Sequence, residues 1–235
     1  MLRSRVVAIH SVPRPIIVLT VLVSWAAALV SAFHGWPLWA MVLVSLSPWL
    51  PIFGLEALWT YRHYRWLALF YVLALTQTGH FLEHVVQMVQ LHVLHLPGHE
   101  AHGVFGAFDS EWVHFTWNNT VTLVVFLLVT RFSGNRWLWL TALIAGWHGL
   151  EHSYIMWVYL TTGLRGSPGL LGAGGVIGGG LPVPTVDLHF YYNLIETLPL
   201  LIAFVYQCRR SYEEADQWVV LAAGARLRRL LEYAA

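Results

Sequence analysis

Six stretches of the chain stay apolar long enough to cross a bilayer, which takes about 20 mainly apolar residues as a helix. The first runs from Ile16 to Phe33 and ends at a turn, His34-Gly35-Trp36-Pro37. The second runs from about Leu38 to Trp59, and Pro48 and Pro51 predict a kink in it. Tyr61-Arg62-His63-Tyr64-Arg65 reads as a short loop, with Glu56 near it in a solvated or Arg-paired role. The third starts at Trp66 and keeps its helical pattern to about Leu96, where Pro97-Gly98 stops it. That is longer than a bilayer requires, so its end is expected to protrude. The fourth covers roughly Trp112 to Phe132 and the fifth Trp137 to about Thr161, with a tight turn at Ser133-Gly134-Asn135 between them. Residues 163–185 are too rich in Gly and Pro for a regular helix and form either a lid over a site or a flexible connector. The sixth span is about Leu188 to Cys208. The tail from Tyr212 to Tyr233 reads as an amphipathic helix lying on the membrane, with Arg226, Arg228 and Arg229 on it.

Two of the spans carry the same polar pattern. The third holds His80-Phe81-Leu82-Glu83-His84 and the fifth holds His148-Gly149-Leu150-Glu151-His152. On a helix, positions i, i+3 and i+4 share a face, so each copy aims two imidazoles and a carboxylate in one direction. Each is followed by a span that opens with His-Phe-x-x-Asn: His114 to Asn118, then His189 to Asn193. The expected fold is an all-α polytopic membrane protein with six transmembrane helices in a single domain. It divides into an N-terminal two-helix pair (15–64), two tandem repeat hairpins forming a four-helix core (65–132 and 136–208), and a cytoplasmic amphipathic tail (209–235). Repeats in membrane proteins place sites at the repeat interface.

Composition sharpens this picture. Hydrophobic residues make up 57% of the 235 and charged residues only 11%, which excludes an ordinary soluble domain. The net charge of +1 gives no ground for nucleic-acid binding. All thirteen basic residues are arginine; in a six-span arrangement twelve fall on one side and only Arg165 on the other. The positive-inside rule then sets a multi-pass protein of the cell membrane with both termini cytoplasmic. The first apolar run is long for a signal peptide and is expected to be a retained helix. Cys208 is the single cysteine, so neither an internal disulfide nor a multi-thiolate metal site is available.

The motifs share a depth. His80 lies fifteen residues beyond Arg65, roughly 22 Å along a helix, and His148 twelve beyond Arg136, roughly 18 Å. His114 and His189 open helices that start at the outer surface, so all four motifs are expected in the extracytoplasmic half. A lone membrane His or Glu most often bonds a neighbouring helix, but ionisable groups at this depth are costly and commonly functional. The expected metal ligands are His80, Glu83, His84, His114, His148, Glu151, His152 and His189, and Asn118 and Asn193 are expected to orient them. Glu196 shares a helix face with His189 and Asn193, whereas the equivalent place in the first hairpin is Val121. Glu196, Glu83 and Glu151 are therefore the candidate proton-handling groups.

A His/Glu set without thiolate suits iron, manganese, copper or zinc, and this many groups points to two ions, or to one ion with further groups behind its ligands. The expected activity is a non-haem dinuclear oxidoreductase acting on a lipophilic or small apolar substrate, in contact with membrane lipid. No flavin or nicotinamide motif is present, so electrons would come from a quinol or an external donor. Three alternatives are a zinc hydrolase with Glu83 or Glu151 as base, a haem or quinone electron-transfer subunit, and a metal-ion carrier.

Overall fold

The computed structural model describes the backbone of residues 12–97, 100–105 and 110–233, with side chains as far as Glu214 (Ser110 excepted). Arg3, Arg5, His99 and Asp109, and the side chains of Arg226, Arg228 and Arg229, lie outside the described residues. Every regular element among those described is helical: α1 (Arg14–Phe33), α2 (Leu38–Leu46), α3 (Leu50–Tyr64), α4 (Trp66–Met88), α5 (Ser110–Arg131), α6 (Arg136–Thr162) and α7 (Thr185–Tyr233). A 3-10 turn, Ser47–Trp49, joins α2 to α3, so these two form one kinked rod and the rods number six. Pro48 sits in that turn and has no N–H to offer the preceding helical turn. The Ser47 hydroxyl donates to the Val44 carbonyl instead, at 2.8 Å.

The expected loop at 61–65 shrinks to a single pivot. Helix α3 runs through Tyr64, the Arg65 N–H bonds the Tyr61 carbonyl at 3.2 Å, and Arg65 turns the chain at φ 23°. Glu56 faces inward rather than toward solvent: it is buried and accepts the Thr60 hydroxyl at 3.5 Å. Helix α4 ends in a π turn, Val89–Val93, ahead of Pro97. There His92 meets Asp187 of α7 at 2.6 Å.

The tail differs from expectation. No break separates the sixth span from it; α7 is one helix of 49 residues. The junction around Arg209 to Glu214 holds neither Gly nor Pro, and Arg210 donates to Glu214 one turn on at 3.0 Å. Good helix formers and an i,i+4 ion pair favour continuation.

Helices α4, α5, α6 and α7 close a four-helix bundle, each packed on two neighbours, while α3 leans on α4 and α1 on α2. One end of the bundle is an apolar core, with Leu67, Phe70, Val125, Leu128, Leu138 and Leu200 essentially inaccessible. The other end buries the polar motif residues. Asn135 registers the second hairpin: its Oδ1 caps α6 by accepting from the Leu138 N–H at 3.3 Å, and its Nδ2 donates to the Ala203 carbonyl of α7 at 2.8 Å. Among the described residues, four segments are long and apolar enough to cross a membrane: Arg14–Phe33, Leu38–Tyr64, Glu111–Arg131 and Thr185–Glu214. Helices α4 and α6, which carry the His-x-x-Glu-His patterns, are not among them. Few residues of the first two segments are buried, against half of the most apolar stretch of the last, so the N-terminal rods stand largely clear of the bundle.

Candidate metal centre

Helix geometry does the first part of the assembly. His80 and His84 are one turn apart on α4, and their rings lie 4.9 Å apart. His114, in the second turn of α5, brings its ring to 5.7 Å from each of them. In the second hairpin, His148 and His152 of α6 pair at 4.8 Å between rings, and His189 of α7 stacks on His152 at 4.6 Å. The result is two triads, His80/His84/His114 and His148/His152/His189, each with one ring nitrogen per residue within 4.8 Å of the others. The triads adjoin: the His114 and His152 rings are stacked at 5.6 Å and 9° from parallel.

Buried polar atoms normally have partners. Here His80 Nε2, both nitrogens of His84, and His189 Nε2 are buried without a hydrogen-bond partner among the described residues. His148 differs. Its Nδ1 sits 2.8 Å from Glu196 Oε2, and its Nε2 lies 3.1 Å from His152 Nε2. A carboxylate that accepts from Nδ1–H leaves Nε2 free to ligate, the usual arrangement behind a metal-bound histidine. At position 121 of α5, where the first hairpin would need its own carboxylate, stands the buried Val121.

The remaining carboxylates point elsewhere. Glu83 Oε1 accepts the backbone N–H groups of Val104 and Phe105, both at 2.7 Å. Glu151 Oε1 accepts the Leu170 N–H at 2.9 Å. Each acceptor rests against a left-handed glycine, Gly103 (φ 74°) or Gly169 (φ 70°), where a Cβ would run into the carboxylate. Both glutamates thus tie the loop beyond their helix down onto it. Neither joins a triad, although Glu151 Oε2 is buried and unpartnered. The loop at 163–184 is a closely bonded structure without a helix, with its Gly169-Leu170 segment against Glu151 and its Gly166 N–H on Glu111 at 2.7 Å.

Asn118 and Asn193 each donate from Nδ2 to the carbonyl of the histidine one turn before, His114 and His189, at 2.9 Å. They brace the helical turn that carries the imidazole. The hub between the hairpins is Gln77, fully buried on the His80 face of α4. It donates to Asn193 Oδ1 at 3.2 Å and to the Thr197 hydroxyl at 3.4 Å, and accepts from Trp117 Nε1 at 3.0 Å. Each triad also has an aromatic backing: Trp117 lies 5.2 Å from the His80 ring, and Tyr192 lies 5.4 Å from His148. The sequence carried a signal for these residues. Gln77 lies three before His80, and both His-Phe-x-x-Asn motifs have an aromatic residue just before the asparagine. Nothing in spacing alone marked Gly103 or Gly169.

The donor set fits a transition metal. Three imidazoles per triad with no thiolate within reach suit copper, zinc or iron, and the unpartnered nitrogens of His80, His84 and His189 are what ligation would satisfy. The surroundings of the triads differ: an apolar cavity of about 830 Å³ reaches His80 and His114, whereas no residue of the second triad lines it. Comparison of the chain with protein-family models, with curated proteins and with solved structures finds no match.

Proposed function

We propose that the chain is an integral membrane metalloprotein holding two transition-metal ions, one per histidine triad, and working as a non-haem dinuclear oxidoreductase on a lipophilic or small apolar substrate. The observation that carries this reading is the pair of adjoining triads, in which His80 Nε2, both nitrogens of His84 and His189 Nε2 are buried without partners. In this reading all six rods cross the bilayer of the cell membrane, both termini are cytoplasmic, and the two hairpins are copies of one repeat. The triads then lie in the extracytoplasmic half. Within each triad the grouped donors are all imidazole, which favours copper or zinc over iron.

Each residue has a task in this scheme. His80, His84 and His114 hold one ion; His148, His152 and His189 hold the other. Glu196 fixes the His148 tautomer and is the nearest base to the second triad, a candidate proton relay. Glu83 and Glu151 latch the outer loops and keep water off the rings. A redox-active pair bound there would exchange electrons between a quinol or external donor and oxygen or substrate. The close mutual packing of six rings favours single ions over a haem.

A zinc hydrolase is the second reading, supported by the unpartnered Glu151 Oε2, which could act as a base. Metal analysis and a visible spectrum of the purified protein separate the two. Two copper or iron ions per chain, with a spectrum that bleaches on reduction, support the oxidoreductase. Zinc that resists replacement gives the hydrolase, and a chain purified without metal that binds none on titration ends both.

A further inference from the structure

We infer that the cavity beside the first triad is the seat of a hydrocarbon chain of a membrane lipid, which it delivers end-on to His80 and His114. This rests on the metalloprotein reading only for what happens at that end; the chain-binding site stands on its own geometry. The cavity lies between the N-terminal rods and the bundle, walled by Leu38, Met41 and Val42 of the kinked rod, Leu82 and Val86 of α4, and Trp117 of α5. Its volume, about 830 Å³, is that of a ligand pocket.

Three observations select an aliphatic occupant. Several polar side chains along the wall already have partners: the Thr76 hydroxyl donates to the Val72 carbonyl at 2.8 Å, the Ser45 hydroxyl to the Met41 carbonyl at 2.6 Å, and Glu83 accepts two loop amides, while His102, which also lines it, is exposed. Gln87 donates to the Ala101 carbonyl at 3.0 Å. Among the buried side-chain polar atoms of the wall, the one without a partner is His80 Nε2, at the triad end. The medium outside is decided by the rods themselves, which present Leu22, Leu29, Leu43 and Leu46 more than half or about half exposed and so require lipid around them. An apolar cleft opening between such rods is filled by acyl chain, not water.

The sequence holds the device that opens it. The residue before His80 is Gly79, and a Cβ placed there meets nothing within 4 Å. The residue before His148 is Trp147, whose Nε1 donates to the Tyr192 hydroxyl at 3.2 Å. One hairpin leaves room next to its first histidine and the other fills it. The first triad is therefore the one a lipid substrate reaches, and its substrate class is a long-chain aliphatic compound with its reactive end at the chain terminus nearest His80.

The test is photolabelling of the full chain in nanodiscs with a diazirine-bearing palmitate, with adducts mapped by mass spectrometry and metal content measured on the same samples. Adducts are expected on Met41, Val86 and Trp117, in excess of those on Leu143, an exposed residue of α6 that does not line the cavity. Gly79→Trp, which copies the second hairpin, should cut the cavity adducts roughly tenfold, as a filled pocket does, with metal content unchanged. Leu143→Phe should change neither. Equal labelling of the cavity and of Leu143 overturns the inference without reference to any variant, and cavity labelling that survives Gly79→Trp in folded protein overturns it as well. Cavity labelling of a metal-free chain would leave the inference standing and remove the metalloprotein reading.

Discussion

The two triads use the same residue types at the same spacings, yet their surroundings are opposite. Around His148 the neighbours are enclosed and several are bonded: Glu196 holds its Nδ1, Trp147 bonds Tyr192, and His148 and Glu151 are fully inaccessible. Around His80 the neighbours are apolar or missing: Val121 stands where Glu196 would be needed, Gly79 where Trp147 stands, and a cavity opens alongside. Two substitutions at corresponding offsets thus convert one ligand pattern into an enclosed site and an accessible one. A closed site with a carboxylate behind a ligand holds its ion tightly and in one geometry. An open site with unpartnered nitrogens beside an apolar cleft is where a substrate can approach. The identity of ligands sets what can bind, and the second ring of residues sets what each site does.

The comparison can be broken by removing ligands, the largest expected effect. His84→Ala should reduce bound metal from two ions to one per chain, and His152→Ala should do the same for the other site; the double variant should bind none, read by elemental analysis. If either single variant loses both ions, the triads are one interdependent site and the contrast fails. Next in size is Glu196→Gln. Loss of the carboxylate behind His148 should weaken the second ion by about 10–100-fold while leaving the first unchanged. A competitive chelator titration resolves the two affinities, and an equal effect on both ions would contradict the assignment of Glu196 to one triad.

Smaller effects concern the loops. Gly103→Ala and Gly169→Ala each place a Cβ against a glutamate in a left-handed backbone, so each should cost about 1–3 kcal/mol, measured by thermal unfolding in detergent. The Gly169 change should be the more damaging, because Glu151 is wholly buried and Glu83 is not. Glu83→Gln and Glu151→Gln should retain both ions and instead raise amide exchange at Val104 and Leu170; loss of metal would return the glutamates to the ligand set. The smallest contrast is between two glycines of the motif helices. Gly79→Ala meets empty space and should shift stability by no more than about 1 kcal/mol, toward greater stability. Gly149→Ala brings a Cβ to 2.7 Å from the Thr122 hydroxyl oxygen, which itself bonds the Ala145 carbonyl between α5 and α6. It should destabilise measurably.

Much of this molecule is legible in the chain because helices obey local rules. The spans near Ile16, Leu38, Trp112 and Leu188 are readable since about 20 apolar residues in a row have few other fates. The kink at Pro48 follows from a missing donor, and the turn at Asn135 from its capping amide. The histidines of each pair meet because 80 and 84, or 148 and 152, are one turn apart. Helix α7 was less readable, since the polar junction at Arg209 marks the edge of an apolar span but does not stop a helix. Glu56 is hidden from such rules for a related reason: a charged residue near a span end looks solvated in sequence, and only the packing of α3 on α4 turns it inward.

By itself, then, the sequence determined the helices, the apolar stretches and which side chains share each helix face, since these depend on spacing within one element. Tertiary structure decided which faces meet. Only packing brought His114 to the α4 pair and His189 to the α6 pair, stacked His114 on His152, and separated Glu196, which bonds His148 Nδ1, from Glu83 and Glu151, which hold loops. The reason is physical: a carboxylate binds whichever donors lie nearest, and a left-handed glycine far along the chain can offer backbone N–H groups that no helical periodicity records.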